Sequence, residues 1–141
     1  MNATATSLDA TAGETDLARL LAGLAPALAP QPRAIRMQAH DAPVPSDAIL
    51  LFREDEGVTV VATADETGDG PLWAQITLRI HSSLEAVGMM AAISAALAAA
   101  EIPCNVVSAY FHDHLFVPWT RREDAIAALE ALVDDQRSMR T

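Results

Sequence analysis

Two histidines flank an aspartate at His112-Asp113-His114, between two runs of apolar and β-branched residues. Imidazole and carboxylate groups can bind a metal ion or transfer protons, so these residues, together with His81 at the end of another predicted strand, are the first candidates for chemistry. Zinc, however, needs three or four ligands, and both Asp and His are tolerated in turns. We therefore interpret the tripeptide as the turn of a hairpin and keep a metal- or His-assisted hydrolase as the alternative.

The other possible nucleophiles are Cys104 and the pair Ser82-Ser83. Cys104 stands at the start of a predicted strand, and a buried thiol is inert. The serines lack the Gly-x-Ser-x-Gly turn that exposes a nucleophile, and no phosphate-binding glycine motif occurs. We predict no catalysis, no metal and no cofactor.

The composition narrows the class of partner. The net charge is -10, with 19 acidic residues and no lysine, which disfavours nucleic acid and anionic membranes. The uncharged stretch 86–100 would span only about 22 Å as a helix, too short for a bilayer core of about 30 Å. One cysteine cannot form an internal disulfide, so we predict a cytoplasmic protein.

Hydrophobic periodicity and turn residues divide the first half into short elements. We expect a disordered tail over 1–13 and an extended, proline-rich connection between the first helix and the first strand. The predicted elements are a helix over 15–24 and strands over 33–39, 48–54 and 58–63, the last two forming a hairpin. Turn residues at 64–71 mark the best internal boundary, so we divide the chain into an N-terminal half at 14–71 and a C-terminal half at 72–136.

The second half has a clearer pattern, with a strand over 73–81, a helix ending before Ile102, and strands over 104–110 and 114–119. Thr120 and Glu123 form a capping box that predicts the last helix, and 137–141 should fray. The order β, α, β, β, α is that of a ferredoxin-like α+β sandwich without its last strand. A bare sheet edge needs cover, so the N-terminal strands or a second subunit must supply that strand, with the two halves interwoven.

The second half resembles an ACT domain. The similarity lies in Gly88, Met89-Met90, Ile93 and Leu97, followed by the strand that opens at Asn105-Val106. In the first half, FREDEGVTVV resembles small stand-alone bacterial proteins with two ACT-like units in tandem. The resemblance implies a βαββαβ fold with antiparallel sheets in each unit.

The ACT resemblance also implies a regulatory module that binds a small molecule, here an amino acid, often across the interface of a homodimer or homotetramer. The ligand site it implies is formed by Ser82, Ser83, Leu84, Gly88, Asn105 and Val106, with His81, His112, Asp113 and His114 as possible lining of the groove. The ACT pattern starts the helix near Gly88, whereas local chemistry starts it at a capping box, Ser82 to Glu85. We favour the later start, because a glycine inside a helix costs about 1 kcal/mol relative to alanine.

Two further interpretations stay open at this point. One is the hydrolase built on His112, Asp113, His114 and His81. The other is a purely structural or partner-binding domain whose site holds no ligand.

Overall fold

The computed structural model describes residues 13–65 and 68–139, so the predicted tail lies outside the described residues except for Gly13. Every helix and strand expected from the sequence is present, and one strand is added. In chain order the elements are α1 (Leu17–Ala22), β1 (Pro26–Leu28), β2 (Arg33–Gln38), β3 (Leu50–Arg53), β4 (Val58–Thr63), β5 (Trp73–Leu78), α2 (Met89–Ala99), β6 (Asn105–Ser108), β7 (Asp113–Pro118), a 3₁₀ turn (Trp119–Arg121) and α3 (Arg122–Ser138).

The strands form one sheet in the order β3-β4-β2-β5-β7-β6, with β1 also paired to β5. All strand pairs are antiparallel. The predicted hairpin of β3 and β4 is confirmed by its register, which runs from Leu50 opposite Val61 to Arg53 opposite Val58. Because β2 and β5 join the two halves within this sheet, neither half has a sheet of its own.

The added strand, β1, lies in the segment that the sequence predicts to be an extended, proline-rich connection. Pro26 and Leu28 pair with β5, and the N–H of Ala29 donates to the carbonyl of Gln75 at 2.9 Å. Pro30 and Pro32 have no N–H, so the ladder is interrupted before Arg33 pairs with Trp73. The missing strand of the second half therefore comes from the N-terminal half, one of the two sources that the sequence left open.

The core lies between the helices and one face of the sheet. In β5 the alternate residues Ala74, Ile76 and Leu78 are fully buried, which confirms the one-sided strand expected from its pattern. Helices α1, α2 and α3 cover this face, and with Leu24, just after α1, they supply the other half of the core: Leu20, Leu21, Leu24, Met89, Ile93, Leu97, Ala125, Leu129 and Val133.

The start and the end of α3 differ from the prediction. A 3₁₀ turn precedes the helix, Arg121 occupies the N-cap position, and no side-chain hydrogen bond caps that end, so the predicted capping box is wrong. At the other end, 137–138 are helical where fraying was expected. The guanidinium of Arg137 donates through Nε to the carbonyl of Ala22 at 3.1 Å, which ties α3 to the end of α1.

The chain is an α+β protein with a ferredoxin-like arrangement in which three helices cover one side of an antiparallel sheet. The two halves are interwoven through β1, β2 and α1. None of the helices in the described ranges has both the length and the apolar composition that crossing a bilayer requires.

Candidate functional site

A cavity of about 160 Å³ lies where α2 begins, beside the end of β6 and the start of β7. Three segments line it: the loop before α2, the first turn of α2, and the β6–β7 hairpin. The lining residues are Ser82, Ser83, Leu84, Ala86, Gly88, Met89, Met90, Ala91, Ser108, Ala109 and Asp113.

The start of α2 presents free backbone donors to this cavity. Gly88 is the N-cap residue with φ of 97°, a conformation that favours glycine, and no side chain caps the helix. The first intrahelical bond runs from the N–H of Ala92 to the carbonyl of Gly88, so the N–H groups of Met89, Met90 and Ala91 have no partner within the helix. The later helix start, near Gly88, is thereby confirmed, and 82–87 form a loop.

That loop is held in place by the N-terminal half of the chain. Glu14 bridges it from both sides: its N–H donates to the carbonyl of His81, and its carbonyl accepts from the N–H of Ser83, each at 2.9 Å. Gly13 lies so close that a Cβ there would be 2.5 Å from the carbonyl carbon of Ser82. A residue larger than glycine at position 13 would push this segment off the loop.

A carboxylate forms the other side of the cavity. Asp113 is only 7% exposed, and its Oδ2 accepts a hydrogen bond from the hydroxyl of Ser82, itself 8% exposed, at 3.2 Å. The cavity therefore contains a negative side chain and, at the beginning of α2, backbone donors with partial positive charge. The carboxylate attracts a cationic group, whereas the start of the helix attracts an anionic one.

The histidines lie elsewhere than the sequence suggested. Tyr110 and Phe111 form the tip of the hairpin, because the N–H of Ala109 donates to the carbonyl of His112 at 3.0 Å. Asp113 starts β7, opposite Ser108 and Leu78. The interpretation of His112-Asp113-His114 as the turn is therefore wrong: the strand begins one residue after His112.

Strand alternation then separates the carboxylate from the imidazoles. The rings of His112 and His114 lie 6.5 Å apart on the face of the hairpin opposite Asp113, while the ring of His81 packs against Phe111 at 5.5 Å. Among residues 13–65 and 68–139, no group of three His, Cys, Asp or Glu side chains is placed to hold a metal ion. This geometry does not favour the hydrolase.

His114 belongs to a polar network on the face of the sheet away from the helices. Its Nδ1 lies 3.2 Å from Nε2 of Gln75 and 3.0 Å from Oγ1 of Thr77. Arg33 donates to Oε1 of Gln75 at 3.0 Å and to the hydroxyl of Thr63 at 2.7 Å. Burial, and to a lesser degree His112, lowers the pKa of His114, so this imidazole is neutral near pH 7.

Four of the six predicted ligand residues, Ser82, Ser83, Leu84 and Gly88, line the cavity, but Asn105 and Val106 do not. Strand β6 runs parallel to β5, since both are antiparallel to β7, and α2 returns the chain to the far end of the sheet. The end of β6 therefore lies beside the start of α2, and its first residue is about 10 Å away along the strand.

Sequence reasoning missed Ser108 and Ala109 and placed Asp113 only as possible lining. The signal that would have found them is the register of the hairpin, which follows once Tyr110 and Phe111 are taken as its tip. Cys104 is partly buried against the core, and burial raises the pKa of its thiol, which disfavours the reactive thiolate.

The chain thus combines a ferredoxin-like antiparallel sheet with a polar cavity at the start of α2. The chain belongs to the ACT-domain family: one ACT domain profile matches residues 74–131 and a second matches residues 12–70. ACT domains are in general regulatory small-molecule-binding modules, and the chain carries two such units.

The solved structures that are similar to this chain include two bacterial proteins. A protein of unknown function from Vibrio cholerae, described as a possible transport protein, is 34% identical over 79% of this chain and 92% of its own, with a TM-score of 0.67. A protein from Agobacterium tumefaciens is 17% identical over 73% of this chain and 84% of its own, with a TM-score of 0.60, and shows the fold alone. A search of curated proteins finds no relative of this chain.

Proposed function

We propose that this protein is a regulatory module without catalysis that binds a free amino acid in the cavity at the start of α2. The observation that carries the proposal is the buried carboxylate of Asp113 facing the same cavity as the free N–H groups of α2. A zwitterion has the two matching charges. Its ammonium group would pair with Asp113, and its carboxylate would accept from the N–H groups of Met89 and Met90.

The size and polarity of the cavity suit such a ligand. At about 160 Å³ it is close to a cavity of about 150 Å³ that holds benzene, so it accommodates a small amino acid such as alanine or serine. The hydroxyls of Ser83 and Ser108 add polar groups to its wall. Catalysis is not part of the proposal, because Asp113 has no imidazole or thiol on its own face of the hairpin.

A thermal-shift screen of free amino acids at millimolar concentration tests the proposal. A ligand at one hundred times its dissociation constant should add about 2.7 kcal/mol to the free energy of unfolding. The N-acetyl derivative of the best ligand, which lacks the ammonium group, should give no shift, and neither should the corresponding amine, which lacks the carboxylate.

The variant Asp113→Asn should weaken the best amino acid at least tenfold, because a charged hydrogen bond becomes a neutral one. Asp55→Asn is the matched control: it makes the same charge change at an exposed turn and should bind like the parent protein. Equal binding by both variants, or binding of the N-acetyl derivative, would contradict the ammonium–Asp113 pair.

We also propose that the chain forms a homodimer or homotetramer, in which binding of the ligand changes the arrangement of the subunits. The loop that the ligand would order carries two strongly exposed apolar side chains, Leu84 at 67% and Val87 at 82%. A ligand that favours one arrangement of this loop shifts the population of subunit arrangements. A cytoplasmic location fits the single free thiol of Cys104.

Sedimentation velocity with and without the best amino acid tests this second part. Leu84→Ser combined with Val87→Ser should weaken self-association, whereas Val44→Ser, at an apolar residue 48% exposed and outside the cavity, should not. A protein that stays monomeric at every concentration would contradict the homo-oligomer and leave the amino-acid site to the thermal-shift result.

A further inference from the structure

A second cavity lies on the opposite face of the same hairpin, away from the helices. Its volume is about 210 Å³, and it is lined by Ile49, Leu50, Gln75, Val107, Ala109, His114 and Phe116. Ile49 and Leu50 belong to one edge of the sheet and Val107 to the other. The sheet thus curls until its two edges, β3 and β6, approach each other across this cavity.

The cavity walls are mainly apolar, and the hydrogen bonds around His114 determine which of its ring nitrogens is a donor. Arg33 has only donors, so the atom of Gln75 that faces it is the carbonyl oxygen, and the amide N–H₂ of Gln75 faces His114. The Nδ1 atom of His114 must therefore accept, and the proton of the neutral imidazole is on Nε2. Each donor at Nδ1 polarises the ring and makes Nε2–H a stronger donor.

This Nε2–H is available to a ligand. Within the described residues no hydrogen bond reaches Nε2 of His114, yet no enclosed side-chain nitrogen or oxygen lacks a partner there. The Nε2 atom is therefore accessible from outside, and His114 is part of the cavity wall. A donor fixed at the wall of an apolar cavity selects a molecule with an acceptor at the matching position.

We propose that this cavity is a second binding site, which takes a small, mainly apolar, uncharged molecule with one carbonyl oxygen that accepts a hydrogen bond from His114 Nε2–H. The apolar part lies between Val107, Phe116 and Leu50. Compared with the cavity of about 150 Å³ that holds benzene, the volume suits a molecule of about eight to ten non-hydrogen atoms. This site is distinct from the amino-acid site, because it lies on the other face of the sheet and, apart from Ala109, is lined by different residues.

Two probes of equal shape test the site: acetophenone, which has the carbonyl oxygen, and α-methylstyrene, in which a methylene group replaces it. In ¹H–¹⁵N NMR titrations of the full chain, acetophenone should shift the imidazole nitrogens of His114 and the amides of Val107 and Ala109. Its affinity should exceed that of α-methylstyrene about tenfold, the effect of one hydrogen bond in an apolar site. Equal affinities, or no shifts with acetophenone at millimolar concentration, would overturn the proposal.

A matched pair of variants locates the binding. Val107→Trp fills the cavity and should abolish the acetophenone shifts, whereas Val106→Trp adds the same side chain to the other face of β6 and should leave them unchanged. Shifts that survive Val107→Trp would place the probe elsewhere and reject the site. The comparison of the two probes in the parent protein stands even if a variant fails to fold.

Discussion

Asp113 and His114 are neighbours in β7, but the two faces of the hairpin place them in different surroundings. Asp113 faces the helices, where it accepts from Ser82 beside the free N–H groups of α2. His114 faces the curled side of the sheet, where it accepts from Gln75 and Thr77 beside apolar walls. One face suits a charged ligand and the other an uncharged one, and Ala109 lines both cavities.

The alternation of side chains along a strand, not the spacing of residue types in the sequence, decides which groups can act together. Three adjacent ionisable residues look like one site in the sequence, yet alternation assigns the carboxylate to one cavity and an imidazole to another. The same period places Leu115 in the core and Phe116 on the curled face. Substitutions on one face should therefore leave the other face unchanged.

The largest effect is expected for Leu115→Ala, which removes a fully buried side chain from the main core on the helix side. It should lower the free energy of unfolding by about 3 kcal/mol, measured by urea denaturation. The control is Val106→Ala, at the cross-strand partner that is 39% exposed, which should cost less than about 1 kcal/mol. Equal losses of stability in the two variants would contradict the placement of Leu115 in the main core.

Gly13→Ala should disturb only the helix-side cavity. Its Cβ would meet the backbone of Ser82 and Ser83 within 2.6 Å, so the N-terminal segment must shift, at a cost of about 1 to 2 kcal/mol. Binding of the best amino acid should weaken, while the acetophenone titration should be unchanged. A loss of acetophenone binding in this variant would show that the two faces are coupled through the hairpin.

Thr77→Val makes the converse change. It removes one donor to Nδ1 of His114, which should cost about 1 kcal/mol of stability and raise the pKa of His114, measured by NMR titration. Amino-acid binding should be unaffected. The control is Thr63→Val, which removes the hydroxyl that accepts from Arg33. This change is farther from His114 and should move its pKa less.

The smallest effect is a pH dependence from His114. Burial lowers the pKa of this imidazole in the folded chain, so as pH falls below 6.5, the ordinary value, the unfolded chain takes up a proton that the folded chain resists. Stability should therefore decrease from pH 6.5 towards the lower folded pKa. His114→Gln should reduce this acid sensitivity, whereas His40→Gln, at an exposed site, should not; equal sensitivity in both would contradict the assignment.

Much of the fold followed from local patterns. Alternation in β5, the proline after α2 and the turn between β3 and β4 predict elements that the structure confirms, because each depends on neighbours in the chain. The strand β1 was missed, since its prolines suggest an extended connection and only β5 makes it a strand. The capping box before α3 failed because a 3₁₀ turn at Trp119–Arg121 precedes the helix.

The candidate site shows the same division. The start of α2 near Gly88 was predicted from the ACT resemblance and from the cost of a glycine inside a helix. The structure then gives Gly88 the positive φ that glycine tolerates best. Asn105 does not line this cavity, because the direction of β6 beside β5 and β7 brings the other end of the strand to it. No residue near Asn105 in the sequence carries that information.

The order of the elements and the acidic surface follow from the amino-acid sequence alone, because periodicity and charge are properties of short segments. Contacts between distant segments place Glu14 against the loop at Ser83, pair β1 with β5, and direct Asp113 and His114 into different cavities. These arrangements require a particular strand register and contacts between segments that are far apart in the chain. Such contacts are stable only when the rest of the fold is formed.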